Sequence, residues 1–348
     1  MQMTKSRRSY LEILAKATWD YLRRRQICSQ LPFRFWLEPT NICNIKCEVC
    51  PNPLIPKEQR GIMDFSLFRK IIDEASLFAN EVYMFHRGES LIHPELHRMI
   101  SYAKENGLLV KLNTNATILS EKKSREILES GLDLISFSVD GYEKGVFEKI
   151  RVGAHFERVV NNVRTFLQLK KNGGYKRPLT QIEIMEFLGY SGTAIQEKRA
   201  SFFKNFRGLS FDRIIIRKPH NVGGNVALNK AQGYDVRKKH YFPCSFPWYS
   251  LAIHWNGNVC PCPRDFMGNL VIGNISTASL VDIWNGERML NVRRNILDRN
   301  LNDQVCCRNC DQVYKYQTNI AGLPVGYLPA LFKDSPVVYG LRRFLNSP

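Results

Sequence analysis

Of the ten cysteines in this 348-residue chain, seven fall in two groups whose spacing suits chemistry better than packing. The first group lies in NICNIKCEVCPNP, residues 41–53, where Cys43, Cys47 and Cys50 follow the pattern C-x3-C-x2-C. On a helix these three would share one face and could be mere packing. Pro39 and Pro51 bracket the segment, however, and proline tends to end helices, so a loop is expected. A structural zinc would want a fourth ligand. The only sequence candidates are Glu48 inside the loop and His86 further on. Iron–sulfur clusters are normally held by four thiolates. A loop that offers three to a four-iron cluster leaves one iron open to an exchangeable ligand.

The second group is Cys244, then Cys262 in WNGNVCPC, then, 45 residues later, Cys307-x2-Cys310 in CCRNC. Widely separated thiols ending in C-x2-C fit either a structural zinc or an iron–sulfur cluster, and spacing alone leaves both open. Cys28, Cys260 and Cys306 remain. They read as small buried hydrophobes. The alternative is that Cys260 or Cys306 stands near a substrate as a hydrogen donor or replaces an expected ligand. The N-terminus has charges throughout and lacks the apolar stretch of a secretory signal, so a cytoplasmic location is expected. In a reducing compartment, clustered cysteines read as ligands rather than disulfides.

The elements that must position these groups alternate. Strands are expected at 33–38, 81–85, 108–112, 132–139, 181–187 and 212–217, with helices at 65–78, 94–107, 120–131, 156–173 and about 193–206. Asp64 or Ser66 would start the first of these helices. Six β–α steps pair in parallel through right-handed crossovers and form an open barrel or a doubly wound sheet. In either, function gathers at the carboxyl ends of the strands. The cysteine loop, HRGES, NTNA and Asp140–Gly141 all follow strands and so share one rim. After about residue 218 Gly, Pro, Asn and Cys become frequent. The expected division is a basic N-terminal helix (1–30), a barrel (31–217), a linker (218–243), a small cysteine-rich domain (244–310) and a tail (311–348).

EPTNICNIKCEVCPNP resembles the cysteine loop of the radical S-adenosylmethionine (radical SAM) superfamily, and the resemblance runs from about 33 to 310. It implies an α/β fold, a partial (β/α)6 barrel. It also implies a [4Fe-4S] cluster on Cys43, Cys47 and Cys50 whose open iron chelates S-adenosylmethionine. Reductive cleavage would yield a 5′-deoxyadenosyl radical, with the electron drawn from a donor such as flavodoxin or ferredoxin. HRGESLIHPEL resembles the family's Gly-Gly-Glu loop, which assigns Glu89 to the methionine amino group. LNTNATIL and SFSVDG point to Asn115 and Ser138 at the ribose, and EKIRVG to Arg151 at the methionine carboxylate. Two departures stand out: Val49 replaces the usual aromatic residue before the third cysteine, and Arg87 replaces the first glycine. The second cysteine group resembles the C-terminal extension called SPASM or, in shorter form, twitch. With no cysteine after Cys310, the twitch form is expected, with one auxiliary [4Fe-4S] cluster on Cys244, Cys262, Cys307 and Cys310.

The family's single-auxiliary-cluster members include dehydrogenases of sugar-like cyclitols. Hydrogen abstraction from a sugar or polyol, followed by oxidation or epimerisation, is therefore the leading expectation. After abstraction a hydroxyl proton must leave, and His220 is the candidate base, with Arg217 to hold an alkoxide or phosphate. Peptide modification is the second expectation and RNA modification the third. A simple electron carrier fits poorly, because C-x3-C-x2-C is not ferredoxin spacing. The net charge of +18, of which the first 30 residues supply +5, favours an anionic partner such as a phosphate-linked sugar. YLEILAKATWDYLRRR places Leu11, Leu14, Thr18 and Leu22 on one stripe with Trp19 beside it. The stripe is expected to pack over the far end of the barrel, with peripheral contact to an anionic membrane as the alternative for both termini.

Overall fold

The computed structural model describes residues 10–186, 193–217, 219–227, 240–315, 319–320 and 323–324. Chain order runs α1 (Tyr10–Leu22), β1 (Arg34–Leu37), β2 (Lys46–Cys47), α2 (Phe65–Ala75), β3 (Glu81–Tyr83), α3 (Leu96–Glu105), β4 (Leu109–Thr114), α4 (Glu121–Glu129) and β5 (Leu134–Ser138). It continues with α5 (Lys144–Ile150), β6 (Arg151–Val152), α6 (Phe156–Asn172), β7 (Leu179–Met185), α7 (Thr193–Phe203) and β8 (Arg213–Arg217). The C-terminal part holds β9 (His240–Tyr241), β10 (Ser250–Ile253), β11 (Asn258–Cys260), β12 (Gly273–Asn274), α8 (Leu280–Trp284), α9 (Glu287–Leu297), α10 (Val305–Arg308) and β13 (Tyr314–Lys315). Asp64 is the residue that starts α2, its carboxylate accepting from the Ser66 amide. The short α5 and β6 were not expected from periodicity.

Strands β1, β3, β4, β5, β7 and β8 pair in parallel in that order, which is the partial (β/α)6 barrel. Alternation gives each strand two unlike faces. Phe35, Val82, Val110, Leu112, Ile135, Phe137, Ile182 and Ile184 are fully buried in one core with residues of the covering helices, among them Phe68, Ile71, Met99, Val159 and Phe166. The opposite face is polar. Register brings Arg34 beside Glu81, Asn113 beside Ser136, Ser136 beside Gln181, and Ser138 beside Glu183. Helices account for the apolar face. The barrel interior therefore takes the polar one.

The cysteine-rich part does not stand apart from this sheet. β10 pairs in parallel with β1, Arg34 opposite Ser250, and β11 and β12 follow antiparallel. A nine-stranded sheet results, so the auxiliary segment is fixed directly to the strand that launches the cysteine loop.

Helix α1 lies across the amino ends of β1 and β10, against Phe33 and Tyr249. Its packed face is Ile13, Leu14 and Ala17, which corrects the expected stripe: Leu11 is 54% and Leu22 57% exposed. The reason is Asp20, which is buried and accepts hydrogen bonds from Ser29 and from the Gln30 amide. That contact turns the helix so that the Ile13 side faces inward. The following residues are held by the C-terminal part: Trp248 donates to the Arg25 carbonyl and Arg293 to that of Gln26. Cys28 is buried, its amide donating to Asn285 Oδ1 and its carbonyl accepting from Asn285 Nδ2, a packing position. Residues 218 and 228–239 of the linker, and the tail apart from 311–315, 319–320 and 323–324, lie outside the described residues.

Candidate active site at the carboxyl rim

The cysteine loop leaves the end of β1 and is gripped from two sides. β2 pairs with β6, which sets Cys47 opposite Arg151. On the other side Gly88 approaches the loop so closely that a Cβ would stand 2.4 Å from the Thr40 carbonyl oxygen and 2.5 Å from that of Ile42. The next residue, Glu89, donates its amide to the Ile42 carbonyl at 2.9 Å. This explains the glycine in HRGES: backbone must meet backbone, with no room for a side chain.

Glu89 is buried, and burial raises its carboxyl above the ordinary value. It accepts from Thr114 Oγ1 at 2.8 Å, the Asn115 amide at 2.7 Å and the Leu91 amide at 3.1 Å, so its orientation is fixed. Asn115 Nδ2 donates to Asn44 Oδ1 at 3.2 Å and lies 3.9 Å from Cys43 Sγ. Arg151 is buried and forked onto Asp140 at 2.9 and 2.8 Å. Burial opposes its charge, yet Asp140 and the loop thiols raise its pKa further. Burial lifts Cys43, and pushes Cys47 to about 12 and Cys50 to about 11. Thiolates here need a strongly cationic centre, which is what a cluster's iron provides. Ser138 Oγ donates to Asn113 Oδ1 at 2.8 Å one strand along the rim. The structure thus gathers Cys43, Cys47, Cys50, Glu89, Asn115 and Arg151, while Ser138 stands at the end of β5, bonded to Asn113 of β4.

Arg87 points away from this loop. Its guanidinium is forked onto Glu38, just after β1, and donates to the Phe266 carbonyl at 3.2 Å. His86 donates to the Pro263 carbonyl at 2.8 Å and its ring stacks on that of His254. Burial opposes the charge of Glu38, but the Arg87 fork, with the His86 ring close by, outweighs it and holds the carboxyl well below the carboxylate range. Ligand atoms of Glu38, His86 and His254 fall within 4.8 Å of one another, but Arg87 already supplies the cation there. The residue that departs from the family pattern is therefore a clamp between the rim and the auxiliary segment.

The second cysteine group converges. Cys244, Cys262, Cys306, Cys307 and Cys310 line one pocket, together with apolar Pro247, Val292, Ile296 and Val313. The turn of Cys307-x2-Cys310 closes by a bond from the Cys310 amide to the Cys307 carbonyl, and the Gln312 amide donates to Cys310 Sγ at 3.4 Å. Soft donors in a dry, apolar wall suit a cluster. Cys306 Sγ is 3.8 Å from Cys307 Sγ, so the pocket has five thiols where spacing singled out four. Cys260 is elsewhere, 3.7 Å from His254 Nε2.

Arg217, at the end of β8, pairs with Glu183 of β7. His220 follows it, and burial, Arg264 and Arg217 lower its pKa to about 3. That corrects the expectation of an imidazole with its normal basicity: it stays neutral at pH 7 and is a weak base, because burial disfavours its charged form and two guanidiniums repel its proton. Sequence reading missed the polar interior residues, Glu81, Lys111, Gln181 and Glu183 among them. The signal was present as strict alternation in FRFWLE, LLVKLNT and QIEIME.

Comparison with known proteins agrees with this geometry. Residues 37–189 match the radical SAM superfamily model, and 244–311 match the iron-sulfur cluster-binding domain SPASM. A tungsten-containing aldehyde ferredoxin oxidoreductase cofactor-modifying protein of Pyrococcus furiosus is 24% identical over 73% of this chain and 81% of its own. An S-adenosyl-L-methionine-dependent 2-deoxy-scyllo-inosamine dehydrogenase of Niallia circulans is 22% identical over 80% of this chain and 92% of its own. The crystal structure of BtrN in complex with AdoMet and 2-DOIA superimposes with a TM-score of 0.53 at 19% identity, covering 84% of this chain and 98% of that one. The chain belongs to the radical SAM superfamily: it is an enzyme that binds a [4Fe-4S] cluster with S-adenosylmethionine in its barrel and an auxiliary iron–sulfur cluster in a C-terminal SPASM domain.

Proposed function

We propose that the enzyme abstracts hydrogen from a sugar-like or polyol substrate bound in the barrel interior and leads it to oxidation or epimerisation. The observation that carries this reading is the polar inner face of the barrel. Strands β4, β5 and β7 present Asn113, Ser136, Ser138, Gln181 and Glu183 side by side, a wall of hydrogen-bond donors and acceptors suited to a polyhydroxylated molecule. Lys111 and Arg34 meet Glu81 deeper in, and Arg217 meets Glu183 near the rim, so cations outnumber acids there and a phosphate-linked sugar fits the balance.

In this reading Cys43, Cys47 and Cys50 hold the first cluster, and Glu89, Asn115, Ser138 and Arg151 bind S-adenosylmethionine. Cys244, Cys262, Cys307 and Cys310 hold a single auxiliary cluster, as four thiols suffice for one. The cluster and S-adenosylmethionine that these residues would hold would supply, on reduction, a 5′-deoxyadenosyl radical. Glu89, fixed by three donors, receives the methionine amino group, and Arg151 presents its guanidinium to the carboxylate. A substrate hydroxyl that must lose a proton finds the Glu183 carboxylate on the inner face of β7, with Arg217 beside it. Arg217 steadies the alkoxide that forms. The proposed source of electrons is a small reducing carrier such as flavodoxin or ferredoxin.

The test offers anaerobic, reconstituted enzyme a panel of carbon-deuterated cyclitols, nucleotide sugars and short peptides. Deuterium appearing in 5′-deoxyadenosine from a polyol is the expected result. Transfer only from a peptide would overturn the reading and assign the enzyme to peptide modification.

A further inference from the structure

The outward face of α1 is apolar and uncovered among the described residues. Leu11, Ala15, Trp19 and Leu22 recur at helical spacing on the side opposite the packed Ile13, Leu14 and Ala17, and all four are exposed. Leu11 is 54%, Trp19 49% and Leu22 57% exposed, and Ile27, just beyond the helix, is 65% exposed. Single exposed hydrophobics are ordinary, but a large tryptophan and two leucines on one helix face are not. Cations border this face. The Arg23 guanidinium lies over the Trp19 ring, 4.5 Å from its centroid. Arg24 ends the helix in a left-handed conformation (φ 53°), and Arg25 follows. Lys16 pairs with Glu12, the acid on the exposed side. The sequence before α1 adds Lys5, Arg7 and Arg8.

We infer that this face is a docking surface for an anionic lipid bilayer, on which the enzyme sits reversibly with α1 in the plane of the headgroups. The charge decides the occupant. A helix with Trp and Leu on one side and flanking arginines suits the boundary between acyl chains and acidic headgroups. A protein groove would have to match four apolar side chains and a run of three arginines at once. The packing decides the orientation. α1 lies across the amino ends of β1 and β10, so a bilayer against it leaves the cysteine rim at the opposite end of the strands free. No helix of the described residues is long and apolar enough to cross a membrane, so the contact is peripheral. The inference is independent of which substrate the barrel holds.

The experiment uses full-length reconstituted enzyme with phosphatidylglycerol/phosphatidylcholine vesicles and with phosphatidylcholine vesicles alone. The expected result is sedimentation with the anionic vesicles at low salt, release at high salt as the lipid charge is screened, and none with neutral vesicles. Leu11→Glu with Trp19→Glu changes only exposed positions and should bind about tenfold more weakly or worse, with unchanged S-adenosylmethionine cleavage. Arg23→Gln with Arg24→Gln should lower the salt sensitivity along with the binding. Absence of vesicle binding overturns the inference, as does wild-type binding by the Leu11→Glu, Trp19→Glu protein. A doubled mass by light scattering that this double variant abolishes, without vesicle binding, would assign the face to a second copy instead.

Discussion

Arg87 carries more of this protein than its single position suggests. Its fork on Glu38 is buried at both ends, and removing one member of such a pair strands a charge away from water. Arg87→Ala should lower stability by about 3–5 kcal/mol in urea unfolding. Arg87→Lys should recover part of that, since the charge returns without the fork. The pH dependence has a definite sign. His254 falls from 6.5 to about 3, because burial disfavours its charged form, so the stability it contributes is full above 6.5 and lost as pH falls toward 3. Glu38 is held below its ordinary 4.5, so its contribution is full above that value and declines below it. Urea midpoints should therefore fall from about pH 6.5 downward and more steeply below about 4.5. A midpoint flat across that interval would show that these groups do not share the buried network. Among the thiols, Cys306 and Cys307 separate by substitution. If Cys307 and Cys310 are the ligand pair, as proposed, Cys307→Ala should cost the enzyme about four irons and Cys306→Ala none; loss of iron from the Cys306 variant instead would reassign the ligand.

At the scale of elements, the cysteine loop depends on one contact that only glycine permits. Gly88→Ala would press a methyl group into the carbonyls of Thr40 and Ile42. Reconstituted Gly88→Ala protein should retain the auxiliary iron but lose S-adenosylmethionine cleavage, read by 5′-deoxyadenosine formation and electron paramagnetic resonance. Equal cleavage by the variant would mean that the loop yields easily there. Helix α1 makes the contrasting case. Leu14 is buried against Phe33 and Tyr249, so Leu14→Ala should cost about 2–5 kcal/mol while leaving cleavage intact.

At the scale of the whole molecule, two thiol sites sit on one nine-stranded sheet, joined by β10 beside β1 and by the Arg87 clamp. Reconstituted enzyme should bind about eight irons and no zinc, two four-iron clusters. Four irons and one zinc would make the second site structural. Changing Cys43, Cys47 and Cys50 together to Ala should abolish 5′-deoxyadenosine formation and leave about four irons in place.

The sequence by itself determined much of this arrangement. Alternating strands and helices, with cysteines, HRGES, NTNA and Asp140 just after strands, specify a parallel sheet with one chemical rim, because parallel crossovers send every strand the same way; the resemblance to the superfamily is what made that sheet a partial barrel rather than a doubly wound one. The C-x3-C-x2-C loop carries its chemistry in local order, which sequence displays directly, whereas the Cys244–Cys310 spacing identified ligands but left zinc and an iron–sulfur cluster both open. What only the tertiary structure decided depends on residues far apart in the chain. Cys47 meets Arg151 across a strand pair, Arg87 meets Glu38 and Phe266, and Asp20 turns α1 so that Ile13 rather than Leu11 faces inward. Cys306 joins the thiol pocket, and His220 loses its basicity, through neighbours that neither residue's own segment reveals. Local pattern fixes the period and the face of an element. Which partner that face meets, and hence the charge and burial of each group on it, is set only when the sheet is assembled.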